Sequence, residues 1–267
     1  MVLLNFAVDV AKEAGEILLK RFGNLKSSDI DYKGRWNVVT TVDTEVERLI
    51  VKRIEKEFPN DGILAEENAR KRTDAERVWL VDPLDGTVNY AHGLPFFCVS
   101  IAVAKGWKME AGVVYSPCTD ELFYAERGGG AFLNKRRINV SSTSDFSKSL
   151  LATGFAYVRN ETEHNNLANF NRLNLKVEGI RRLGSAAIDL CYVAAGRFDG
   201  FWELFLSPWD VAAGSLIVEE AGGIVTDIAG GDDYLFGFNI VAGNEKIHDE
   251  LRRNLEPFPE RFRFKLS

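Results

Sequence analysis

Apolar residues at helical spacing dominate the first part of the chain. In residues 3–22 they recur every three or four positions, the period of a helix that buries one face. A second pattern of this kind covers about residues 43–58, where Thr44 and Glu47 fit the capping box that begins many helices. The stretch between them, residues 24–37, is polar. We therefore expect two amphipathic helices joined by a mobile loop or hairpin.

Shorter apolar runs follow, with the β-branched and aromatic residues that strands favour. Residues 62–65 and 78–81 are the first two of them. Further strands are predicted at residues 97–104, 111–116, 121–126 and 130–133. Because three glycines at 128–130 interrupt this series, we interpret it as a meander.

The second half of the chain alternates between strand and helix patterns. Strands are predicted near residues 150–155, 177–183, 198–204, 224–228 and 239–242. Helices are predicted near residues 162–173, 185–196, 209–221 and 245–255. This alternation is typical of a second α/β layer. We place a boundary at the serine-rich stretch after residue 141, so that residues 1–141 and 142–267 form two halves of one closely packed unit.

Composition excludes several classes of function. The 267 residues are 46% hydrophobic and 27% charged, as in ordinary globular proteins. No apolar run approaches the ~20 residues that span a bilayer, and the chain does not begin with the basic segment of a signal peptide. Three widely separated cysteines suit a reducing compartment, and a net charge of −6 argues against nucleic acid as a partner. We expect a cytoplasmic protein with no membrane or nucleic-acid partner.

Two carboxylates at the end of a buried strand are the strongest chemical signal in the chain. Asp82 and Asp85 follow the apolar run at 78–81, and Pro83 and Gly86 predict that the strand ends there in a turn. Two carboxylates held together repel each other unless a positive charge lies between them. A divalent cation with oxygen ligands would supply that charge.

Other acidic residues also stand at the ends of predicted elements. Asp43, Glu66, Glu67 and Asp210 each have an ordinary alternative interpretation, as a helix cap, a solvated turn or a first-turn acid. Those separate explanations become weaker when the acids are considered together with the Asp82 turn. The set therefore predicts a cation site.

The residues after this turn suit a phosphate. Gly86 lets a ligand approach the backbone closely, and consecutive N–H groups after a turn form an anion-binding concavity. Thr87 offers a hydroxyl that can orient a water molecule. A turn glycine and a helix-capping threonine would be compatible with this role.

Two longer stretches resemble the signatures of a known family. Residues 79–90, Trp-Leu-Val-Asp-Pro-Leu-Asp-Gly-Thr-Val-Asn-Tyr, continue to Pro-Phe-Phe at 95–97 and resemble the first signature of the inositol monophosphatase family. Trp-Asp-Val-Ala-Ala-Gly at 209–214, with Glu-Glu-Ala-Gly-Gly at 219–223, resembles the second. Asp43 and the acidic pair after residues 62–65 match the two upstream acidic positions of the family. The likeness extends in order over essentially the whole chain.

The resemblance implies a fold and a reaction. It implies an α/β protein with the layered αβαβα sandwich of this family and of related sugar phosphatases. It also implies Mg²⁺-dependent hydrolysis of a small phosphate monoester by a metal-activated water, without a covalent enzyme intermediate. A homodimer and inhibition by lithium are further expectations of the resemblance.

The resemblance also implies a role for individual residues. Glu66, Asp82 and the carbonyl oxygen of Leu84 would hold one Mg²⁺ ion. Asp82, Asp85 and Asp210 would hold a second ion, and Glu66 would contact a weaker third one through water. Two to three ions would therefore serve each active site.

Catalytic and substrate contacts follow in the same way. Thr87, hydrogen-bonded to Asp43, would activate the attacking water together with the metal ligand Glu66. Lys33 resembles a lysine on a mobile loop of the family, although the loop here is one residue shorter. The implied substrate contacts are Asp85, Gly86, Thr87, Ala186, Glu203 and Asp210.

Several alternatives stay open or can be rejected at this stage. Cys191 and Arg197 have the spacing of a cysteine phosphatase, but no histidine precedes the cysteine, and we interpret Cys191 as a buried helical residue. The Asp-x-x-Asp spacing differs from the Asp-x-Asp of dehalogenase-like phosphatases.

The favoured substrate is inositol-1-phosphate. The alternatives are fructose-1,6-bisphosphate, alone or in addition to it, and nucleotide 3′-phosphates. A regulatory binding partner is the non-enzymatic alternative, against which the complete acidic set argues.

Overall fold

The computed structural model describes residues 2–266 of the chain. Helices follow the predicted order, and several begin with a side-chain cap. The α-helices are α1 (Val2–Arg21), α2 (Thr41–Glu57), α3 (Thr87–Ala91), α4 (Leu167–Leu173), α5 (Ala186–Ala194), α6 (Pro208–Glu220) and α7 (Glu245–Arg253). None of the helices in the described range has the length and apolar character that a bilayer crossing requires.

The strands form a small hairpin and two larger sheets. The hairpin pairs β1 (Ile30–Tyr32) with β2 (Val38–Thr40). The first large sheet contains β3 (Gly62–Ala65), β4 (Arg70–Lys71), β5 (Arg77–Asp85), β6 (Cys98–Lys105), β7 (Lys108–Ser116), β8 (Glu121–Glu126), β9 (Gly130–Leu133) and β10 (Arg136–Arg137), in the order β10-β9-β8-β7-β6-β5-β3-β4. The second contains β11 (Leu150–Thr153), β12 (Gly179–Arg181), β13 (Gly200–Leu204), β14 (Ile224–Thr226) and β15 (Asn239–Gly243), in the order β12-β11-β13-β15-β14.

Helices and sheets alternate in five layers. Helices α1 and α2 pack on the outer face of the first sheet, and α5 and α6 lie between the two sheets. Leu173 of α4 and Ile247 and Leu251 of α7 join an apolar cluster with Leu151 and Trp202 of the second sheet. The expected αβαβα sandwich is therefore confirmed, as is the meander of β6 to β9.

Strand β5 shows how the sequence pattern generates these layers. Successive side chains of a strand point to opposite faces of its sheet. Trp79 and Val81 accordingly join the apolar core beneath α1 and α2. Val78 and Leu80 join the central core that contains α5 and α6. A continuous apolar run therefore belongs to a strand that is covered on both faces.

The prediction that β5 ends at Asp82 is wrong. Asp82 pairs with Ser100 of β6, and after a bulge Asp85 pairs with Cys98. Pro83 lies within this bulge, where a missing N–H does not interrupt the ladder. The two carboxylates therefore belong to the pairing strand itself, which fixes them more firmly than a free turn would.

The predicted capping box of α2 is also wrong. The helix begins at Thr41, and the box is formed by Thr40 and Asp43 instead of Thr44 and Glu47. Thr40 has an extended backbone, its hydroxyl accepts a hydrogen bond from the Val42 N–H, and its own N–H donates to Asp43. The Glu47 carboxylate therefore does not cap α2 and can bind other groups.

Helix α4 is shorter than predicted because its first turn is blocked. It begins at Leu167 rather than near 162, after Asn166 in the left-handed conformation with φ 69°. The Asn166 side chain donates to the Gly154 carbonyl and accepts from the Trp202 indole, so tertiary contacts fix this backbone. Residues 154–166 consequently form an irregular connection that reaches the rim of a cavity.

Candidate active site

A cavity of 460 Å³ lies where the ends of both large sheets and of α5 and α6 meet. It gathers acidic residues that are far apart in the sequence. Those that line it are Glu66, Asp82, Asp85, Glu203 and Asp210. The structure also places Lys33, Leu84, Gly86, Thr87 and Ala186 on its wall. Asp43 lies behind Thr87, fully buried.

The bulge of β5 connects the two halves of the chain. The Leu84 N–H donates to Asp82 Oδ1 at 3.0 Å, which fixes the aspartate within the bulge. Asp85 Oδ2 accepts hydrogen bonds from the Ser185 hydroxyl at 2.7 Å and the Ala187 N–H at 2.8 Å. One carboxylate of the double-acid motif is thus held by the first turn of α5.

Gly86 makes the step from the bulge into α3. Its φ of 94° is left-handed, and a Cβ at this position would lie 2.6 Å from the Phe96 carbonyl oxygen. Both features require glycine. The Gly86 N–H also donates to the carboxylate of Asp85, which lowers the pKa of that group against the larger effect of burial.

Thr87 contacts Asp43, one of the catalytic acids that the resemblance implies. Its hydroxyl lies 3.0 Å from Asp43 Oδ1 and 2.9 Å from the Leu84 carbonyl oxygen. The hydrogen bond between Thr87 and Asp43 that the resemblance implied is therefore present. Asp43 Oδ2 in turn accepts from the Thr40 N–H at 2.8 Å, so the capping box of α2 orients the carboxyl.

Asp210 occupies the same position in α6 that Asp43 occupies in α2. It is the third residue of a helix whose cap is Ser207, and its Oδ2 accepts the Ser207 N–H at 2.7 Å. Pro208 starts this helix, as its fixed φ favours. The capping geometry aims the remaining carboxylate oxygen toward the cavity that Asp210 lines.

Burial raises the pKa of every carboxyl in this cluster. It raises the pKa of Glu66 to about 7 and that of Asp85 to about 6. The pKa values of Asp82 and Asp210 lie well above their usual range, first because of burial and then because neighbouring carboxylates repel the charged forms. The pKa of Asp43 is raised to about 6, again chiefly by burial. The positive charge near the cluster is therefore too small to offset burial and the mutual repulsion of the carboxylates.

This donor set suits a hard divalent cation. Carboxylates and a peptide carbonyl are the ligands that Mg²⁺ takes, and a cation would relieve the repulsion that raises the pKa values. Among residues 2–266, no three acidic, histidine or cysteine side chains lie close enough together, in the positions they occupy, to hold a metal ion. Glu66, Asp82, Asp85 and Asp210 instead line one open cavity, and Leu84 lines it with them.

Glu47 holds the turn that carries Glu66, a role that our sequence analysis missed. Its carboxylate is buried and accepts the N–H groups of Glu67, Asn68 and Ala69 at 2.7, 2.8 and 3.1 Å. A signal for this was present in the sequence, since Glu47 lies one helical turn after Asp43 on the apolar face of α2. A charged residue on a buried helix face needs polar partners.

Lys33 supplies a positive charge at the rim. Its Nζ lies 2.6 Å from Glu67 and 3.3 Å from Glu66, which places the β1–β2 hairpin over the acidic turn. Burial lowers the pKa of Lys33, but the combined attraction of Glu66 and Glu67 outweighs it and raises the pKa above its ordinary value. The lysine therefore stays protonated beside the cluster.

The far end of the cavity surrounds Glu203 and Ala186. Burial raises the pKa of Glu203 to about 8, while Arg182 at the rim lowers it and Asp85 raises it. Gly154 makes room for this carboxyl, since a Cβ there would lie 2.1 Å from Glu203 Oε1. Gly154 and Arg182 were not predicted, because neither lies in a motif.

The cysteine-phosphatase spacing does not form a site. Cys191 is fully buried in α5, and burial raises the pKa of its thiol well above the usual range. Arg197 pairs with Glu121 and stacks on Tyr192, outside the cavity. The interpretation of Cys191 as a small core residue is confirmed.

Comparison with known proteins places the chain among close relatives. A family model described as the inositol monophosphatase family matches residues 2–257. The inositol-1-monophosphatase of Mesorhizobium japonicum is 44% identical over 250 residues, which cover 93% of this chain and 94% of that protein. The Nus factor SuhB of Vibrio cholerae is 44% identical over 257 residues, with 94% and 96% covered. The crystal structure of extragenic suppressor protein SuhB from Bartonella henselae superposes with a TM-score of 0.89 at 43% identity, covering 95% of this chain and 98% of that one.

Proposed function

The chain belongs to the inositol monophosphatase family, and we propose that it is a Mg²⁺-dependent hydrolase of small phosphate monoesters, with inositol-1-phosphate as its favoured substrate. One observation carries the proposal beyond family membership. The Thr87 hydroxyl lies between Asp43 and the Leu84 carbonyl, beside the acidic residues that line the cavity. Such an arrangement suits the activation of water beside a bound cation.

The residues that would hold Mg²⁺ are the carboxylates of Glu66, Asp82, Asp85 and Asp210 and the Leu84 carbonyl. When bound, the ion supplies positive charge that stabilises the phosphoryl group and lowers the pKa of water. The raised pKa values of the carboxyls support this assignment, because a bound cation would offset the burial and the mutual repulsion that raise them. The chain itself then has to place water and substrate.

Thr87 and Asp43 would orient the attacking water. A hydroxyl carries one proton, so Thr87 can donate either to Asp43 or to the Leu84 oxygen. An ionised Asp43 is the stronger acceptor, and it would draw that proton away from Leu84. The Leu84 oxygen then becomes available as a ligand, and a lone pair of the Thr87 oxygen can accept a proton of the water.

The phosphate and the alcohol would lie on opposite sides of Asp85. We assign the phosphate to the Gly86–Thr87 amides, and the alcohol to Asp85, Ala186 and Glu203. A polyol suits this end of the cavity, because the carboxyls of the half-buried Asp85 and the buried Glu203 can accept hydrogen bonds from neighbouring hydroxyls. The exposed Arg182 at the same rim suits a second anionic group, so fructose-1,6-bisphosphate is the alternative substrate.

Phosphate release from a substrate panel tests the proposal. Inositol-1-phosphate, fructose-1,6-bisphosphate and a nucleotide 3′-phosphate are compared with and without Mg²⁺. We expect Mg²⁺-dependent turnover that falls about a thousandfold or more in Asp82→Asn, since removing a metal-held charge removes several kcal/mol of stabilisation. Asp74→Asn, at an exposed acid outside the cavity, is the matched control. Metal-independent turnover, or an active Asp82→Asn enzyme, would overturn the proposal.

A regulatory role is the second candidate, favoured by the name of a relative. The Vibrio cholerae protein is named a Nus factor, and it is as similar to this chain as the enzyme from Mesorhizobium japonicum. If this chain acts chiefly as a binding partner, the Asp82→Asn variant should have the same biological effect as the wild-type protein. Negligible wild-type turnover together with a stoichiometric copurifying partner would favour this role over catalysis.

Three subsidiary proposals follow from family membership. We propose that two copies associate, which light scattering would measure, and that Li⁺ inhibits the Mg²⁺-dependent turnover. We also propose a cytoplasmic location, which fractionation of cells would test. A monomer, insensitivity to Li⁺ or export of the protein would contradict them individually without affecting the assignment of the reaction.

A further inference from the structure

After α7 the chain returns to the active-site cavity as an irregular segment of residues 257–266. Its last part alternates apolar and basic residues. Phe262, Phe264 and Leu266 are half-buried, whereas Arg263 and Lys265 between them are exposed. This period of two is that of an extended segment with one face on an apolar surface. We call residues 257–266 the strap.

The first part of the strap packs on the loop between β13 and α6. The rings of Phe258 and Phe262 lie 5.1 and 5.2 Å from the ring of Phe205, in edge-to-face geometry. Phe205 lines the cavity and has a left-handed backbone with φ 62°. A bulky residue adopts that conformation only where its surroundings hold it. The strap provides part of those surroundings.

The second part is fixed by polar contacts. The Phe264 N–H donates to the Phe236 carbonyl at 2.8 Å. The neighbouring Arg263 forms an ion pair with Asp233 at 2.7 Å. Both contacts use the short helical segment Asp233–Leu235 and the residue that follows it. Phe264 is therefore held at the backbone and cannot easily turn away from the cavity.

The Phe264 side chain packs against two residues, Trp209 and Arg70, that lie near different acidic residues of the cavity. Its ring packs edge-to-face on Trp209, with centroids 5.3 Å apart and planes at 89°. The guanidinium of Arg70 lies 5.2 Å from the same ring. Trp209 directly precedes Asp210, and Arg70 follows the turn that carries Glu66. All three residues line the cavity.

We propose that the strap positions the cation ligand Asp210, and that Phe264 is the positioning residue through which it acts. Trp209 and Asp210 belong to the first turn of α6, so a fixed Trp209 ring limits the movement of the adjacent aspartate. Cation affinity depends on such supporting contacts, because they hold a ligand in place before the ion arrives. The inference rests on the proposed function, in which Asp210 binds Mg²⁺.

The test compares Phe264→Ala with wild type and with two further variants. Phe264→Tyr keeps the ring and should restore the contact with Trp209. Phe132→Ala removes another half-buried phenylalanine, which stacks on Tyr124 outside the cavity, and is the matched control. Mg²⁺ binding to the metal-free proteins is measured by calorimetry, and thermal unfolding confirms that each variant is folded.

We expect Phe264→Ala to weaken Mg²⁺ binding about tenfold, the usual effect of losing a supporting contact at a metal site. At saturating Mg²⁺ its kcat should stay within about twofold of wild type, because the ion then holds Asp210 itself. Phe264→Tyr and Phe132→Ala should bind Mg²⁺ as wild type does. Should Phe264→Ala fail to fold, Phe264→Leu removes the aromatic contact more mildly, and the same loss of affinity is expected.

Three results would overturn the inference, and they are distinguishable. If wild type binds Mg²⁺ and the Phe264 variant binds it equally well, the strap does not position Asp210. An equal loss in Phe132→Ala would assign the effect to general destabilisation and lead to the same conclusion. If wild type itself binds no Mg²⁺, the proposed function fails, and the inference fails with it.

Discussion

At the scale of single residues, the pKa of Glu203 links the stability of the protein to pH. Burial raises this pKa from an ordinary 4.5 to about 8 in the folded state. Between these two values the unfolded state has released the proton and the folded state has kept it. The free energy of unfolding therefore falls as pH rises through this window, and the stabilisation is complete only below it.

The variant Glu203→Gln should remove this dependence. Glutamine is neutral throughout, so we expect the variant to match wild type near pH 5 and to exceed its stability near pH 8. The difference should be on the order of a few kcal/mol, since each pKa unit corresponds to about 1.4 kcal/mol. Urea unfolding of the metal-free proteins at several pH values measures it. Glu45→Gln, at an exposed site, is the control, and a difference that does not change with pH would refute the assignment.

At the scale of elements, the acids sit where local helix chemistry places them. Asp43 and Asp210 are both third residues of helices that are capped by Thr or Ser, so a capping box fixes one carboxylate oxygen and leaves the other for chemistry. The sequence allowed these acids to be located at element ends. It favoured the wrong box for α2, because Thr44 with Glu47 fits the Ser/Thr-x-x-Glu/Gln pattern, whereas Thr40 with Asp43 has an aspartate in the last place.

A tertiary contact between Glu47 and the turn after β3 explains why Thr40 and Asp43 form the box instead. The Glu47 carboxylate does not bind the start of the helix, because it accepts hydrogen bonds from three N–H groups of the turn after Glu66. Contacts of this kind join residues that are distant along the chain, and no local pattern reveals them. The same holds for Phe264, whose partners Trp209 and Arg70 come from different layers.

We expect Glu47→Gln to weaken the proposed cation site, although Glu47 does not line the cavity. The amide keeps one acceptor oxygen but turns an N–H toward a backbone donor, which leaves buried groups unpaired and costs about 1–3 kcal/mol of stability. The freed turn should also weaken Mg²⁺ binding through Glu66. Chemical unfolding and calorimetric Mg²⁺ binding measure the two effects. Glu45→Gln on the exposed face of the same helix should change neither, and an unchanged Mg²⁺ affinity in Glu47→Gln would contradict the positioning role.

At the scale of the whole molecule, motif spacing and periodicity predicted the layers but not how they join. The periods of two and of about 3.6 residues distinguished strands from helices, and the alternation of elements indicated a second sheet. The order of the strands depends on long-range pairing, and the extension of β5 through Pro83 depends on a bulge opposite β6. Residues 154–166 have no period, and the short alternation at the end of the strap does not show which surface it packs on, so the course of neither segment over the cavity was predicted.

The joined architecture predicts that both halves unfold together. The central core contains Phe123 of the first sheet, Phe201 of the second and Leu190 of the helix between them, and Ser185 ties α5 to Asp85 of β5. Because neither sheet can expose its central face without uncovering the other, we expect a single transition whose calorimetric and van't Hoff enthalpies agree.

Mg²⁺ should raise the midpoint of this transition without splitting it, since the proposed ligands come from both halves. Differential scanning calorimetry with and without Mg²⁺ makes the measurement. Two separate transitions would show instead that residues 1–141 and 142–267 fold independently, and an unchanged midpoint would show that the ion does not bridge them.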